Sequence, residues 1–383
     1  MAEYSPMMQH YLATKKQYND CILFYRLGDF YEMFFDDAIT VSKELELTLT
    51  GKDCGQEERA PMCGVPFHAA ETYINRLVSN GHKVAICEQM EDPKLAKGIV
   101  KREVIKVVTP GTNLNAQALD ETKNNYLFCI YYQGDVIGVS ICDFSTGDYF
   151  VTELKSENEL IDEINKFVPS EIIVNEYFAM SGIDLTAVNE KLNISMSTLE
   201  NWYFDEDSSI KKLLSHFKIS ALDGLGVKDY PTGIIAAGAL LTYLYETQKS
   251  DMSHIITLTP YTTGKYMLID SSSRRNLELV ETLREKQKRG SLIWVLDKTK
   301  TAMGARALRS MIEQPLINKD EIINRQNVVE ELCNNQIDRE ELREYMNPIY
   351  DLERLMTKIS CKSANPRDLI AFRNSLEMLP YIK

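Results

Sequence analysis

The sequence predicts a multidomain protein in which two α/β domains precede a mainly helical region. Helical and strand-like segments alternate over the first 112 residues, as in small mixed α/β domains. Three strand-like segments joined by short glycine-containing turns follow, with a helix and another strand behind them. From residue 269 to residue 383 the pattern is mainly helical. The length of 383 residues accommodates two to three domains of ~100–200 residues each.

The first domain is predicted to span residues 1–112 and to hold a small sheet with helices packed on it. Ser5 and Pro6 are an N-cap and a first-turn proline, and Asn80-Gly81 is typical of a helix end. Residues 51–61 are polar and are predicted to form a loop. The predicted helices are 7–16, 36–45 and 69–79, and the predicted strands are 22–27, 47–50, 83–88 and 103–108.

The turn after the first strand leads into an unusual pair of side chains. Gly28-Asp29 is a turn signal, and Phe30 and Glu32 follow it two residues apart. In an extended backbone such residues point to the same side, so a ring and a carboxylate project together. Taken alone, the pair is more simply a half-buried ring beside a solvated acid, because short motifs are weak evidence.

The rest of the chain is predicted to comprise a linker at 113–125, a second domain at 126–250, a linker at 251–268 and a helical region at 269–383. A strand-like lead at 266–270 enters a capping cluster at Ser271–Ser273, and Asn365-Pro366 begins another helix. The second domain's predicted strands are 126–132, 136–143, 149–154 and 171–174, and its predicted helices are 157–167, 210–217 and 233–248.

Composition excludes several classes of protein. No apolar run reaches the ~18–20 residues that a membrane span requires, and the first residues do not resemble a secretory signal. The eight cysteines lack zinc-ligand spacing, which indicates reduced thiols in a cytoplasmic protein. The net charge of −13 opposes nucleic-acid binding, but basic side chains concentrate at 94–106 and 274–309.

Five stretches of the sequence are distinctive when they are taken together. They are FYRLGDFYEMFFDDA at 24–38, PMCGVPFHA at 61–69, VAICEQMEDP at 84–93, VVTPGT at 107–112 and RRNLEL at 274–279. Four of them follow one another in the first 112 residues, and the fifth comes much later. The set resembles the MutS family of DNA mismatch-recognition proteins.

The resemblance implies a mismatch-binding domain, a connector domain with a ribonuclease-H-like fold, and the first part of a lever-like core domain. In this family the Phe of Phe-x-Glu stacks on a mispaired base and the Glu hydrogen-bonds to it, roles that fall on Phe30 and Glu32. Lys52 lies where family members often carry a basic residue near DNA. Arg102 and Lys106, in the basic stretch, complete the predicted DNA-binding set.

A protein of this kind tests how easily a duplex deforms, because a mispair can occur in any sequence. Wedging a ring between bases is easiest where pairing is already broken, and the accompanying bend costs on the order of 1–6 kcal/mol. We expect repulsion between Glu32 and phosphates to disfavour intact duplex, and Glu32 to share a proton with a base nitrogen at a mispair.

The family's partners are double-stranded DNA with mispairs or small loops, a MutL-type protein docked on the connector, and a second copy of the chain. ATP and Mg²⁺ are expected only for a full-length protein, because no G-x-x-x-x-G-K-[ST] phosphate loop occurs here. We therefore expect an N-terminal fragment that is not an enzyme and holds no cofactor.

Two alternative functions remain open from the sequence. Asp143 ends a predicted strand and Asp148 follows in a turn, so a metal-dependent nuclease in the second domain is one alternative. A protein-docking module that makes no DNA contact is the other.

Overall fold

The computed structural model describes residues 4–91, 98 and 100–383. Backbone contacts divide the chain into two units: Met1–Ala118 with Tyr243–Lys249, and Leu119–Thr242 with Ser250–Lys383. None of the helices in the described residues combines the length and apolar character that crossing a bilayer requires.

The first unit is built on one six-stranded sheet. Its strand order is β3-β4-β2-β1-β5-β6, with β1 parallel to β5 and the other neighbours antiparallel. The elements are α1 (Pro6–Gln17), β1 (Cys21–Leu27), β2 (Phe30–Phe34), α2 (Phe35–Leu45), β3 (Thr50–Lys52), β4 (Ala60–Pro66), α3 (Ala70–Ser79), β5 (Lys83–Gln89) and β6 (Arg102–Val108).

Each face of this sheet carries its own apolar core. On one face, Met8 and Tyr11 of α1 pack with Leu23 and Tyr25 of β1. On the other face, side chains of α2 and α3 pack with alternate residues of the central strands, Phe24 among them. Because successive strand residues point to opposite faces, this register decides which side chains remain for the sheet's rim.

A β-bulge interrupts the pairing of β5 with β6. Ile86 pairs with Lys106 but the next residue, Cys87, pairs with Val104, so Ile105 has no partner opposite it. Because of this extra residue, side chains of β6 on both sides of the bulge point to the same face of the sheet as their partners on β5.

The region between α2 and α3 differs from the prediction. The strand predicted at 47–50 lies instead at Thr50–Lys52, and the predicted loop at 51–61 contains the start of β4. Pro61, Gly64 and Pro66 interrupt the apolar pattern of β4, so its sequence does not alternate like a strand. Pairing with β2 and β3 on either side stabilises it instead.

The second unit contains another six-stranded sheet, of order β11-β10-β7-β8-β9-β12. Strands β7, β8 and β9 are antiparallel, and β10 and β11 run parallel to β7. The elements are β7 (Leu127–Tyr132), β8 (Ile137–Asp143), β9 (Asp148–Leu154), α4 (Glu157–Phe167), β10 (Glu171–Asn175), α5 (Glu176–Met180), α6 (Thr186–Leu192), β11 (Ser195–Leu199), α7 (Glu206–Phe217), α8 (Pro231–Gln248) and β12 (Thr259–Pro260). The last turns of α8, from Tyr243, belong to the first unit.

Helices dominate the rest of the chain, which confirms the predicted class of α/β followed by mainly helical structure. The ribonuclease-H-like assignment of the second sheet stays a prediction. The helices are α9 (Ser271–Asn276), α10 (Leu292–Leu296), α11 (Ala302–Glu313), α12 (Lys319–Asn334), α13 (Gln336–Met346), α14 (Leu352–Ser360) and α15 (Pro366–Ile382).

The entry into the helical region also differs from the prediction. Residues 266–270 form no strand, and only an isolated bridge joins Tyr266 to Leu316. The cap of α9 is Asp270 and not the serines, since its carboxylate accepts hydrogen bonds from the backbone N–H groups of Ser272 and Ser273. Asn365 does cap α15 as predicted, within a capping box.

Arg306 and Arg354 donate hydrogen bonds to backbone carbonyls of the segment 113–125, which was predicted to be a linker. The Arg306 guanidinium donates to the carbonyl of Glu121 at 3.0 Å and forms two hydrogen bonds with Asp351, at 2.6 and 2.8 Å. It also reaches Glu353 at 2.6 Å. Arg354 donates to the carbonyls of Asp120 and Lys123.

Stability of the second unit should fall in mild acid because of His254. This ring is buried, donates from Nε2 to the Phe144 carbonyl at 3.1 Å, and leaves Nδ1 without a hydrogen-bond partner. Burial lowers the pKa of His254 to about 4 from its usual 6.5. The unfolded chain therefore binds a proton at a higher pH than the folded chain does, and stability present above pH 6.5 is lost as pH falls toward 4.

We expect about 1 kcal/mol of this loss by roughly pH 5.5. Urea unfolding followed by circular dichroism across this range measures it. His254→Phe should flatten the dependence, whereas His68→Phe, at an exposed position, should leave it unchanged. An equal slope in His254→Phe and the unmodified chain would contradict the assignment.

Candidate nucleic-acid interface

The β1–β2 hairpin presents Phe30 at its tip. Gly28 and Asp29 are the two turn residues, and Gly28 has φ +59°, which suits the first central position of a type II′ turn. Leu27 pairs with Phe30 across the turn, and the N–H of Phe67 donates to the Asp29 carbonyl at 2.9 Å. The Phe30 side chain is 45% exposed, which is unusual for a large apolar residue in a central strand.

Phe30 and Glu32 lie on the same face of the sheet, as the two-residue spacing predicts. Tyr31 and Met33 point the other way and are buried in the core beneath α2 and α3. On β4, Pro66 pairs with Phe30 and Gly64 pairs with Glu32. A Cβ at position 64 would lie 3.5 Å from Cγ of Glu32, so the glycine leaves room beside the stem of this side chain.

The Glu32 carboxylate forms an ion pair that is not evident from the sequence. Nζ of Lys52, on the edge strand β3, lies 2.5 Å from its Oε2. The side chain of Glu32 is 17% exposed and that of Lys52 is 32% exposed. The carboxylate that we expected to be a bare repulsive charge is thus paired, and the structure brings Glu32 and Lys52 together, two of the predicted site residues.

Arg102 is committed to internal contacts. It is buried, donates to the backbone carbonyls of Arg26 and Val100 at 2.8 and 2.9 Å, and lies over the ring of Tyr25. Its guanidinium therefore stabilises the end of β6 in this conformation. Burial raises the pKa of Tyr25 to about 12, and the nearby Arg102 charge opposes that rise.

Lys106 lies apart from the other predicted site residues. It pairs with Ile86 and is half-buried. Strand β6 is three strands from β2, about 14 Å at ordinary strand spacing. The bulge at Ile105 also places Lys106 on the face of α2 and α3, whereas Arg102 shares the face of α1. Two other lysines of this basic stretch, Lys94 and Lys97, lie outside the described residues.

A second exposed ring near the β1–β2 turn, that of Phe67, was missed as a candidate. Phe67 is as exposed as Phe30, and the Arg26 guanidinium lies 3.9 Å from the centre of its ring. Arg26 also pairs with Glu88, which accepts a hydrogen bond from the Tyr31 hydroxyl. Burial, followed by that hydrogen bond, raises the pKa of Tyr31. Only the pairing of β2 with β4 reveals that Phe67 lies at the same rim.

Asp143 and Asp148, the two acids that suggested a nuclease, accept hydrogen bonds from neighbouring residues. Asp143 is fully buried, with one carboxylate oxygen accepting from the side chain of Asn124 and the backbone of Asn125. The other oxygen accepts from the N–H and hydroxyl of Ser145. Asp148 is exposed, and one of its carboxylate oxygens accepts from the side chain of Asn124 and from the hydroxyl of Thr146. Among the described residues, no group of three or more His, Cys, Asp and Glu side chains has a metal-binding arrangement.

Sequence comparisons connect the three regions to one family. Profiles of MutS domain I, MutS domain II and MutS domain III match residues 5–117, 125–256 and 272–383. Together these profiles cover most of the chain, in the order in which the domains are numbered.

Curated relatives of high identity are named DNA mismatch repair protein MutS. The protein of Lachnoclostridium phytofermentans is 65% identical over 383 residues, which are 100% of this chain and 41% of that protein. Those of Ruminiclostridium cellulolyticum and Acetivibrio thermocellus are 54% and 52% identical, over 100% of this chain and 44% of each relative. The chain thus spans less than half the length of these relatives, and it belongs to the MutS family.

Proposed function

We propose that this chain recognises mispaired bases and small loops in double-stranded DNA, as a part of mismatch repair. One observation carries the proposal: Phe30, an apolar ring at a hairpin tip, is 45% exposed and stands beside a carboxylate on the same face. The names of the curated relatives support the same function.

Phe30 acts as a wedge that stacks on a displaced base. Every base offers a flat face to a ring, so stacking tolerates any sequence. The energy needed to unstack a step is lowest where pairing is defective, so the wedge enters mispairs in preference to intact steps. The short turn and the pairing of β2 with β1 and β4 hold the ring at the rim before DNA arrives.

Glu32 hydrogen-bonds to the displaced base and donates a proton to it or shares one with it. Its place two residues from Phe30 puts the carboxylate next to the wedge, where a base that stacks on the ring presents its polar edge. Lys52 belongs to the same site through its ion pair with Glu32. Arg102 is left out of the proposed interface because its guanidinium is buried, and Lys106 would be a peripheral contact.

The remaining regions have proposed roles in the longer protein. Residues 1–112 would be the mismatch-binding domain, and residues 126–250 the connector, which docks a MutL-type protein. Residues 269–383 would be the first part of the core domain of a cytoplasmic homodimer. ATP and Mg²⁺ chemistry would belong to a part of the protein beyond these residues, since this sequence contains no phosphate loop. In this form the chain would act by binding and not as an enzyme.

A comparison of two short duplexes tests the proposal. They differ only in one central base pair, a G·T mispair or a matched pair, and binding is measured at several stated salt concentrations. We expect tighter binding to the mispair at every concentration. Equal binding to both duplexes, or no DNA binding beside capture of a partner protein, would overturn the proposal and favour a docking module.

Glu32→Gln should reduce the preference for the mispaired duplex over the matched duplex. The amide carries no negative charge and cannot hold Lys52 as an ion pair, so the lysine is free to attract phosphates. Binding to matched duplex should rise by a factor of about two to five, as expected for the loss of one partly exposed ion pair worth ~0.5–1 kcal/mol. Fluorescence anisotropy with both duplexes measures the ratio. Glu44→Gln is the control, since Glu44 pairs with His82 and Asn80 away from the hairpin. An unchanged ratio in Glu32→Gln would remove the electrostatic part of the mechanism.

A further inference from the structure

The ion pair between Glu32 and Lys52 joins a central strand to the edge strand of the sheet. Twenty residues separate its members along the chain, and only the order β3-β4-β2 brings them within reach. Nζ of Lys52 lies 2.5 Å from Oε2 of Glu32 and 5.7 Å from the ring centre of Phe34. The lysine therefore lies along the face that also carries Phe30.

The pair cancels two charges where a DNA backbone would approach. A lysine held by a carboxylate is not available to neutralise a phosphate, and a carboxylate held by a lysine is not available to a base. Both side chains are partly exposed, so the pair contributes little to folding stability and separates at low cost. The flexible lysine stem lets its ammonium group move while β3 stays in place.

We propose that Lys52 is a specificity-determining residue that exchanges Glu32 for a DNA phosphate only at a mispair. This inference rests on the proposed function of the Phe30 site. On matched duplex no base turns toward Glu32, so the carboxylate keeps Lys52 and the lysine makes no phosphate contact. At a mispair the displaced base replaces Lys52 as the partner of Glu32, and the released ammonium group binds a phosphate.

The exchange predicts a difference in salt dependence between the two duplexes. Each phosphate that a protein neutralises steepens the fall of log Kobs with log salt by ~0.9. Mispaired duplex gains one such contact, so its slope should be steeper than that of matched duplex by ~0.9 over roughly 50 to 200 mM salt. A difference in affinity alone would not distinguish this exchange from a general attraction between Lys52 and DNA phosphates.

Three variants of the chain test the exchange by the same titrations. Lys52→Met should make the slopes for G·T and matched duplex equal. Glu32→Gln should steepen the matched slope by ~0.9, because Lys52 is then free on every duplex. Lys228→Met is the matched control: Lys228 pairs with Asp223 at an exposed site in the other unit, and both slopes should stay as in the unmodified chain.

The outcomes of these titrations distinguish a failure of the exchange from a failure of the proposed function. A mispair preference with a slope difference that survives in Lys52→Met would overturn the exchange and leave the proposed function standing. If Lys52→Met instead made the dependence of log Kobs on log salt shallower by the same amount for both duplexes, the lysine would be a general phosphate contact. That result would also overturn the exchange. No mispair preference in the unmodified chain would overturn the proposed function itself.

Discussion

Phe30→Ala is expected to abolish most of the preference for a G·T mispair. Stacking of a base on an aromatic side chain is worth ~1–3 kcal/mol by alanine substitution, so affinity for the mispaired duplex should fall about 5- to 150-fold. Affinity for matched duplex should change little, because the ring does not enter an intact step. Anisotropy titrations with both duplexes at one salt concentration measure the two effects.

The control for Phe30→Ala removes an apolar side chain of similar exposure elsewhere in the first unit. Ile39 on α2 is 48% exposed, and Ile39→Ala should leave both affinities unchanged. Thermal unfolding should show Phe30→Ala as stable as the control, because a side chain that is nearly half exposed adds little to the core. A Phe30→Ala chain that still prefers the mispair by the original factor would exclude the wedge.

Arg306→Met should destabilise the second unit by about 3 kcal/mol. The Arg306 side chain is only 4% exposed, and its guanidinium binds Asp351, Glu353 and the Glu121 carbonyl. Removing one partner of a buried pair costs ~3–5 kcal/mol because the other charge is left uncompensated. The lower end applies here, since the two carboxylates keep some contact with water. Urea unfolding followed by circular dichroism measures the change.

An exposed arginine of the same region provides the comparison. Arg373 pairs with Glu377 along α15, with both side chains about two-thirds exposed. Arg373→Met should therefore cost no more than ~0.5 kcal/mol. Arg306→Lys should recover only part of the lost stability, because an ammonium group cannot make the paired contact with Asp351. A cost for Arg306→Met as small as that for Arg373→Met would show that the network contributes little.

Local features of the site were predictable because they depend on neighbouring residues. The apolar run before Gly28, the turn, and the two-residue spacing of Phe30 and Glu32 fix one hairpin and the side chains on its face. Helix ends with strong caps, such as Asn365-Pro366, were equally clear from the sequence. In each case the physical cause acts over a few residues, where a single sequence is informative.

Features that depend on pairing between distant segments were not predictable. Lys52 was proposed as a DNA contact, but its pairing with Glu32 requires the register of β3 and β4. Arg102 looked like an exposed cation of a basic stretch, yet its position beside β5 buries it against Tyr25. Residues 266–270 have the composition of a strand but find no strand partner, and sheet structure requires one.

Strand β6 should tolerate the loss of one residue, because Ile105 has no partner opposite it on β5. Removing Ile105, which is exposed, would let Val104 and Lys106 become neighbours while each keeps its present partner on β5. Every side chain of the strand would then stay on its present face. Removing Ile86 from β5 would instead invert the alternation of Cys87, Glu88 and Gln89, and would move the buried Cys87 side chain out of the core that it shares with α1. Single-residue length variation in this sheet should thus be accommodated at Ile105 and rejected in the strand beside it.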